Sequence, residues 1–131
     1  MAHAVRSSLA VMKEHDVKKI VVVGTSGVGS SRAYSGWFKN WIVDHSNLKI
    51  TFDDHEAVEQ VLGAEAEKDK KLRWVDVRAV GLSDGERKAV KEWGDEGRGA
   101  GMWISRESVA GFVIDAVESG TWDGQTPVIS N

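Results

Sequence analysis

A run of four β-branched residues that leads into a glycine-rich loop constrains this chain more than any other stretch. Residues 20–23 read "IVVV", and "GTSGVGSS" follows from Gly24 to Ser31. A continuous β-branched run is typical of a strand buried on both faces, as in a parallel sheet covered by helices. The loop then lies at the carboxyl end of that strand, the edge where open α/β sheets bind ligands.

Three interpretations of this loop are open from the residues alone. A P-loop requires a lysine on the phosphates, and Ser30 stands at that position. A dinucleotide-binding turn would use Gly24, Gly27 and Gly29 beneath a pyrophosphate, with Asp53 as the ribose-binding acid, although the spacing to Asp53 is long. The third interpretation, which the rest of the chain favours, is a strand end whose small residues allow a turn.

The remaining sequence alternates predicted helices and strands. Helices are predicted over residues 2–15, from Asp53 or Asp54 to about Lys68, and after an N-cap at Ser105. Their predicted buried residues are Ala2, Val5, Leu9 and Met12 in the first, Val58, Val61 and Leu62 in the second, and Val109, Phe112, Val113, Ala116 and Val117 in the third.

Strands are predicted at "LRWVDVRAV" and "TPVIS", and "LKITF" fits a short strand or an extended approach to the second helix. Residues 81–102 are predicted to form a long loop with one helical turn at "ERKAVKEW". The order predicts an α/β fold with a small, mainly parallel sheet between helices, and the length of the chain predicts a single domain.

Composition narrows the function classes. A net charge of −3 gives no electrostatic reason to expect nucleic acid or an anionic membrane as partner. The chain has no cysteine, no apolar run of transmembrane length and no signal peptide, so we expect a cytoplasmic protein. No two histidines have metal-ligand spacing with acids on a common element, and no metal is expected.

Four stretches resemble the second half of an atypical short-chain dehydrogenase/reductase of the NmrA-like, NAD(P)-binding type. They are "VKKIVVVGTSGVG", "DDHEAVEQVL", "LRWVDVRAVGLSDG" and "WISRESVAGFVIDAVESGTWDGQTPVIS", which cover most of residues 17–131 in family order. The resemblance implies a single truncated Rossmann-like domain over residues 1–131, because the family's cofactor loop, which belongs to its first half, is missing here. It also implies that the "IVVV" strand corresponds to the family's fourth strand.

The resemblance assigns positions to the family's active site, and several differ here. The family serine falls near Thr25 and Ser26, and its Tyr-x-x-x-Lys pair falls at Thr51 and His55. Without that tyrosine and lysine, no phenolate of lowered pKa can transfer a proton alongside hydride. Arg78 precedes alanine where the family has proline.

The candidate site residues follow from these positions and from the aromatic content. Proposed catalytic groups are His55 as acid or base, Asp84, Thr25 and Ser26. Proposed substrate contacts are Trp37, Trp41, Tyr34 and Arg78, where Arg78 either binds an oxygen or only pairs with an acid. Gly24, Gly27 and Gly29 remain cofactor candidates. Trp74, Trp93, Trp103 and Trp122 are expected in the core or an interface.

Two functions from different classes are consistent with the sequence. The first is a non-redox cyclase, isomerase or lyase that binds a small, largely apolar metabolite without a cofactor. The second is a non-catalytic, NmrA-like binding or regulatory protein. NAD(P)-dependent reductase activity, with a cofactor site rebuilt in a dimer, is a further alternative. We expect a homodimer because residues 20–23 would otherwise form an uncovered apolar sheet edge.

Overall fold

The computed structural model describes residues 1–29, 31 and 48–131. Its helices are α1 (Ala2–Glu14), α2 (Leu48–Lys68) and α3 (Arg106–Glu118). Its strands are β1 (Lys19–Thr25), β2 (Arg73–Ala79), β3 (Gly81–Ser83), β4 (Lys91–Glu92), β5 (Trp103–Ser105) and β6 (Val128–Ser130). The predicted α/β class is confirmed.

The main sheet has the strand order β1-β2-β6-β4. β1, β2 and β6 run parallel, and β4 pairs antiparallel with β6. β3 and β5 form a second, two-stranded parallel pair. Among the described strands, β1 pairs with β2 alone and lies at the sheet edge, where Val23 is 41% exposed.

Two apolar clusters hold helices on opposite faces of the sheet. On one face α1 and α2 bury Leu9, Val58 and Leu62 against Ile20 and Val22 of β1. On the other face α3 packs with β2 and β6. The buried residues of this second cluster include Val75, Val77, Ala79, Ile104, Val109, Phe112, Ala116, Val128 and Ile129.

The start of the second helix differs from the prediction. "LKITF" is helical, so neither Asp53 nor Asp54 begins α2. Asp54 instead binds the start of α1, because its Oδ1 accepts a hydrogen bond from the Ala2 amide at 3.1 Å. The β-branched residues of "LKITF" favour a strand only weakly, and Ile50 is 74% exposed on the helix.

Residues 81–102 also differ from the prediction, because "ERKAVKEW" forms no helical turn. Its backbone amides find partners elsewhere: Lys88 donates to Ser108 Oγ at 2.9 Å, and Trp93 donates to the Val128 carbonyl at 3.0 Å. In α3, the Ser105 N-cap is confirmed by its bond from the Ser108 amide. Val117, predicted to be buried, is 53% exposed.

Candidate functional site

A cavity of about 450 Å³ opens at the carboxyl ends of β1 and β2. This volume lies in the usual range of small-molecule sites, and the position is where parallel sheets bind ligands. Four segments line it: the loop after β1, the turn after β2, the chain from residue 96 to β5, and the start of β6. The lining residues are Ser26, Gly27, Ser31, Val80, Gly81, Glu96, Gly97, Ala100, Gly101, Met102, Trp103 and Val128.

The wall formed by β5 is apolar and aromatic. Trp103 is 59% exposed and Met102 is 77% exposed. A Cβ at Gly81 would lie 2.9 Å from the Trp103 ring, so this glycine lets the indole lie close against the neighbouring strand. A large aromatic face held against a rigid strand is suited to a flat ring.

The loop after β1 uses its own amides to keep its shape. The Ser26 amide donates to the Ala79 carbonyl at 2.9 Å, and the Gly27 amide donates to Ser31 Oγ at 2.9 Å. Ser31 Oγ donates in turn to the Val28 carbonyl at 2.8 Å. A phosphate cradle requires free amides that point at the ligand, and these two amides point into the protein.

An ionic cluster lies directly beneath this loop, in which the side chains of Arg78 and Asp76 are buried and that of Glu59 is 36% exposed. Arg78 is 0% exposed, and its Nη2 contacts Glu59 Oε2 of α2 at 2.6 Å. Its Nε lies 3.6 Å from Asp76 Oδ2 on the same strand. A Cβ at Gly24 would lie 2.5 Å from Asp76 Oδ1, and one at Gly29 would lie 2.8 Å from Glu59 Oε2. Close packing on this cluster therefore explains two of the three glycines.

The pKa of Asp76 is strongly shifted by its surroundings. Burial raises the pKa of Asp76 to about 6, against the lowering effect of Arg78, and Glu59 adds to the rise. Its Oδ1 is buried and accepts no hydrogen bond from the described residues. Strongly perturbed carboxyl groups concentrate at functional sites, although structural ion pairs produce them as well.

Comparison with known proteins agrees with this architecture. A family model described as NAD(P)H-binding matches residues 1–120. The chain belongs to this NAD(P)H-binding family. The resemblance to atypical short-chain dehydrogenase/reductases is therefore confirmed. A search of the curated proteins finds no match.

Solved structures of the same fold are longer. A wide-type short-chain dehydrogenase/reductase from Veillonella parvula in complex with NADP has 13% identity and a TM-score of 0.73, over 99% of this chain and 58% of its own. Anaerobillin reductase from Escherichia coli has 16% identity and a TM-score of 0.71, over 96% of this chain and 56% of its own. The chain thus spans a little over half the length of these structures.

The described residues fit part of an NAD(P) cofactor. The cavity and its Trp103 wall suit a planar ring such as nicotinamide. Within residues 1–29, 31 and 48–131 the pyrophosphate has no comparable cradle in the loop after β1, because the Ser26 and Gly27 amides are bonded within the protein. The expectation that no cofactor is used gains no support from an NAD(P)H-binding family.

The predicted catalytic residues do not all meet at the cavity. Ser26 lines it, whereas Thr25, His55 and Asp84 do not. Asp84 is 97% exposed in its side chain and pairs with Arg106 at 2.6 Å. Arg78 pairs with acids, as one of its two predicted roles requires. Tyr34, Trp37 and Trp41 lie outside the described residues, and their roles stay predictions.

His55 lies on α2 beside the start of α1. Partial burial lowers the pKa of His55, against the raising effect of Asp54 and with a smaller lowering effect of the terminal amine. Its Nδ1 is buried and has no hydrogen-bond partner in the described part of the chain. The lowered pKa favours the neutral form of the ring, but His55 does not line the cavity.

The sequence interpretation missed Trp103, Glu96, Asp76 and Glu59 as site residues. Trp103 was expected to be buried in a core or interface. For Asp76 a signal existed: it alternates with Arg78 in a strand buried on both faces, where charges must be paired. The acidic partner on α2 could not be chosen, because "DDHEAVEQ" offers several acids.

Among the described residues, no helix is both long and apolar enough to cross a membrane. Within the same residues, no group of three or more histidine or carboxylate side chains could hold a metal ion.

Proposed function

We propose that this chain forms the ring-binding part of an NAD(P)H-dependent reductase whose substrate is a flat, conjugated and largely apolar molecule. The observation that carries the proposal is the cavity at the carboxyl ends of β1 and β2, with the exposed Trp103 indole as one wall. Membership of an NAD(P)H-binding family supports the cofactor. A similarly folded protein is named an anaerobillin reductase, which supports the reaction class.

The apolar and the polar residues of the cavity would contact different parts of the ligand. Trp103 and Met102 would cover the faces of the bound rings and keep water from them, while Ser26 and Glu96 would bind polar atoms at the ring edges. A bound nicotinamide supplies a hydride to an electron-poor acceptor. Residues beyond the loop after β1 would have to hold the pyrophosphate.

Riboflavin, a planar conjugated molecule, and NADPH test the proposal by calorimetric titration. We expect Trp103→Ala to weaken riboflavin binding about tenfold, because it removes the aromatic face. Leu82→Ala is the matched control, since Leu82 is 43% exposed on β3 and lies outside the cavity lining. Equal riboflavin affinity of Trp103→Ala and the wild type, or no binding of either probe to the wild type, would contradict the proposal.

Activity distinguishes a reductase from a binding or regulatory protein. Loss of reduced-nicotinamide absorbance in the presence of riboflavin, abolished by omitting the protein, is the expected result. Tight binding of both probes without NADPH oxidation would favour the non-catalytic alternative.

The non-redox alternative, a cyclase, isomerase or lyase, depends on His55 as acid or base. One observation favours it: Nδ1 of His55 is buried without a hydrogen-bond partner in the described residues, and its lowered pKa keeps it able to accept a proton. His55→Ala, with the exposed His15→Ala as control, tests it. Turnover of a cognate substrate that survives His55→Ala would rule this mechanism out.

A homodimer through β1 remains part of the proposal. The supporting observation is that β1, among the described strands, has one neighbour and exposes Val23. Unpaired strand edges are normally covered. Multi-angle light scattering should report twice the chain mass, and a monodisperse monomer would contradict a dimer.

A further inference from the structure

The loop that brings Ser26, Gly27 and Ser31 to the cavity packs on an ion pair at Gly29, in addition to burying the apolar side chain of Val28. Gly29 adopts a φ of +51°, and a Cβ there would lie 2.8 Å from Glu59 Oε2 and 2.9 Å from Arg78 Nη2. Beneath Gly29 the loop therefore lies directly on the Glu59–Arg78 pair, in which Arg78 Nη2 is 2.6 Å from Glu59 Oε2.

The pair joins α2 to β2, and β2 is in turn paired with β1, the strand that leads into the loop. Glu59 is on α2, Arg78 is on β2, and the Arg78 Cα position is in register with Gly24 of β1. Ser26 is tied to Ala79, the residue after Arg78, by its amide. A guanidinium binds a carboxylate in a directional geometry, so the pair fixes both distance and orientation.

A gain in folding stability does not by itself explain why Glu59 and Arg78 pair at this position. Burying a guanidinium costs desolvation energy that its partners only partly return, and apolar residues of similar size often hold a core as well. The same pair is well suited to hold one loop conformation, because Gly24 and Gly29 leave no side chain between the loop and the cluster.

We infer that Glu59 and Arg78 are positioning residues for the cavity, holding the loop after β1 so that Ser26, Gly27 and Ser31 face the ligand. As a role in ligand binding, the inference rests on the proposed function; as a role in ordering the loop, it is measured without any ligand. Neither residue lines the cavity, so both act through the loop.

Hydrogen–deuterium exchange tests the inference on the whole chain. In Glu59→Gln, we expect peptides that cover residues 24–31 to exchange at least about tenfold faster, because the Ser26 and Gly27 amides lose their fixed acceptors. Peptides from α3 should be unchanged. Glu65→Gln is the matched control: it is on the same helix and removes an exposed pair with Lys68 at 2.7 Å. It should leave the loop unchanged.

Glu59→Asp supplies a second variant that keeps the charge and shortens the reach. Its loop exchange should fall between the wild type and Glu59→Gln, and it decides the matter if Glu59→Gln does not fold. Wild-type loop exchange in both Glu59 variants, or equal acceleration of the loop and α3, would overturn the inference.

Ligand titration of the same variants separates the two proposals. If riboflavin and NADPH fail to bind the wild type while the loop of Glu59→Gln still exchanges faster, the proposed function fails and the ordering of the loop stands. If both probes bind the wild type and Glu59→Gln equally, with equal loop exchange, the proposed function stands and the positioning role fails.

Discussion

The two faces of β2 are built from opposite chemistry. On one face Val75, Val77 and Ala79 pack against α3 in an apolar cluster. On the other face Asp76 and Arg78 form the ionic cluster with Glu59 of α2. Since side chains alternate across a strand, five consecutive residues carry both arrangements.

This difference indicates that the apolar face of β2 stabilises the sheet and that the ionic face positions the loop at the cavity. Apolar burial is non-directional and roughly proportional to area, so it stabilises the sheet without specifying one loop conformation. An ion pair depends steeply on geometry and contributes little net stability. The ionic face lies under the loop that lines the cavity, where geometry matters most.

Arg78→Ala is expected to have the largest effect on this comparison. It leaves Glu59 and the buried Asp76 without their cation, and removing one partner of a buried pair typically costs about 3–5 kcal/mol. Urea denaturation measures the loss in free energy of unfolding, and Arg78→Lys is the milder variant if Arg78→Ala does not fold. A loss of less than about 1 kcal/mol would show that the cluster is not buried as described.

Asp76→Asn is expected to change how stability depends on pH. Because the folded state raises the pKa of Asp76 from 3.8 to about 6, the folded wild type binds the proton more tightly than the unfolded chain. The resulting stability is present below the unfolded value and is lost as pH rises to about 6. Between about pH 4 and pH 7 the wild type should lose about 3 kcal/mol relative to Asp76→Asn.

Denaturation of both proteins at several pH values gives this difference directly, and groups that both proteins share cancel. Above pH 7 the difference should be constant. A difference that is also constant between about pH 4 and pH 7 would mean that Asp76 titrates normally.

Val77→Ala is expected to have a smaller effect that sharpens the contrast. Val77 is 0% exposed on the apolar face, and removing its two methyl groups should cost about 2 kcal/mol. Loop exchange at residues 24–31 should nevertheless match that of the wild type. Faster exchange confined to the loop in Val77→Ala would contradict the assignment of separate roles to the two faces of β2.

The sequence predicts well the helices and strands that bury an apolar face. Periodicity finds α1 and the buried residues Val58, Leu62 and Phe112, and the β-branched run finds β1. It does so because burial of a face repeats along an element. Within the loop predicted for residues 81–102 the helical turn is wrong, because amides of this segment are bonded to α3 and β6, which are distant in sequence.

The site is predicted less well, for a related reason. Ser26 could be placed at the strand end because the edge of a parallel sheet is a general ligand position. The Glu59–Arg78 pair depends on which residue of α2 meets β2, and Trp103 faces the cavity only because of how β5 pairs with β3. Such contacts are set by packing between elements, which local patterns do not contain.

Chemical-shift mapping of the isotopically labelled chain with NADPH is the most direct test of the cavity as a ring-binding site. We predict that the amides of Ser26, Gly27 and Gly81 and the indole of Trp103 shift together, while the indole of Trp122, which donates to Glu92 and lies outside the cavity lining, does not. No shift at saturating NADPH, or shifts confined to Trp122 and α3, would contradict the proposed site.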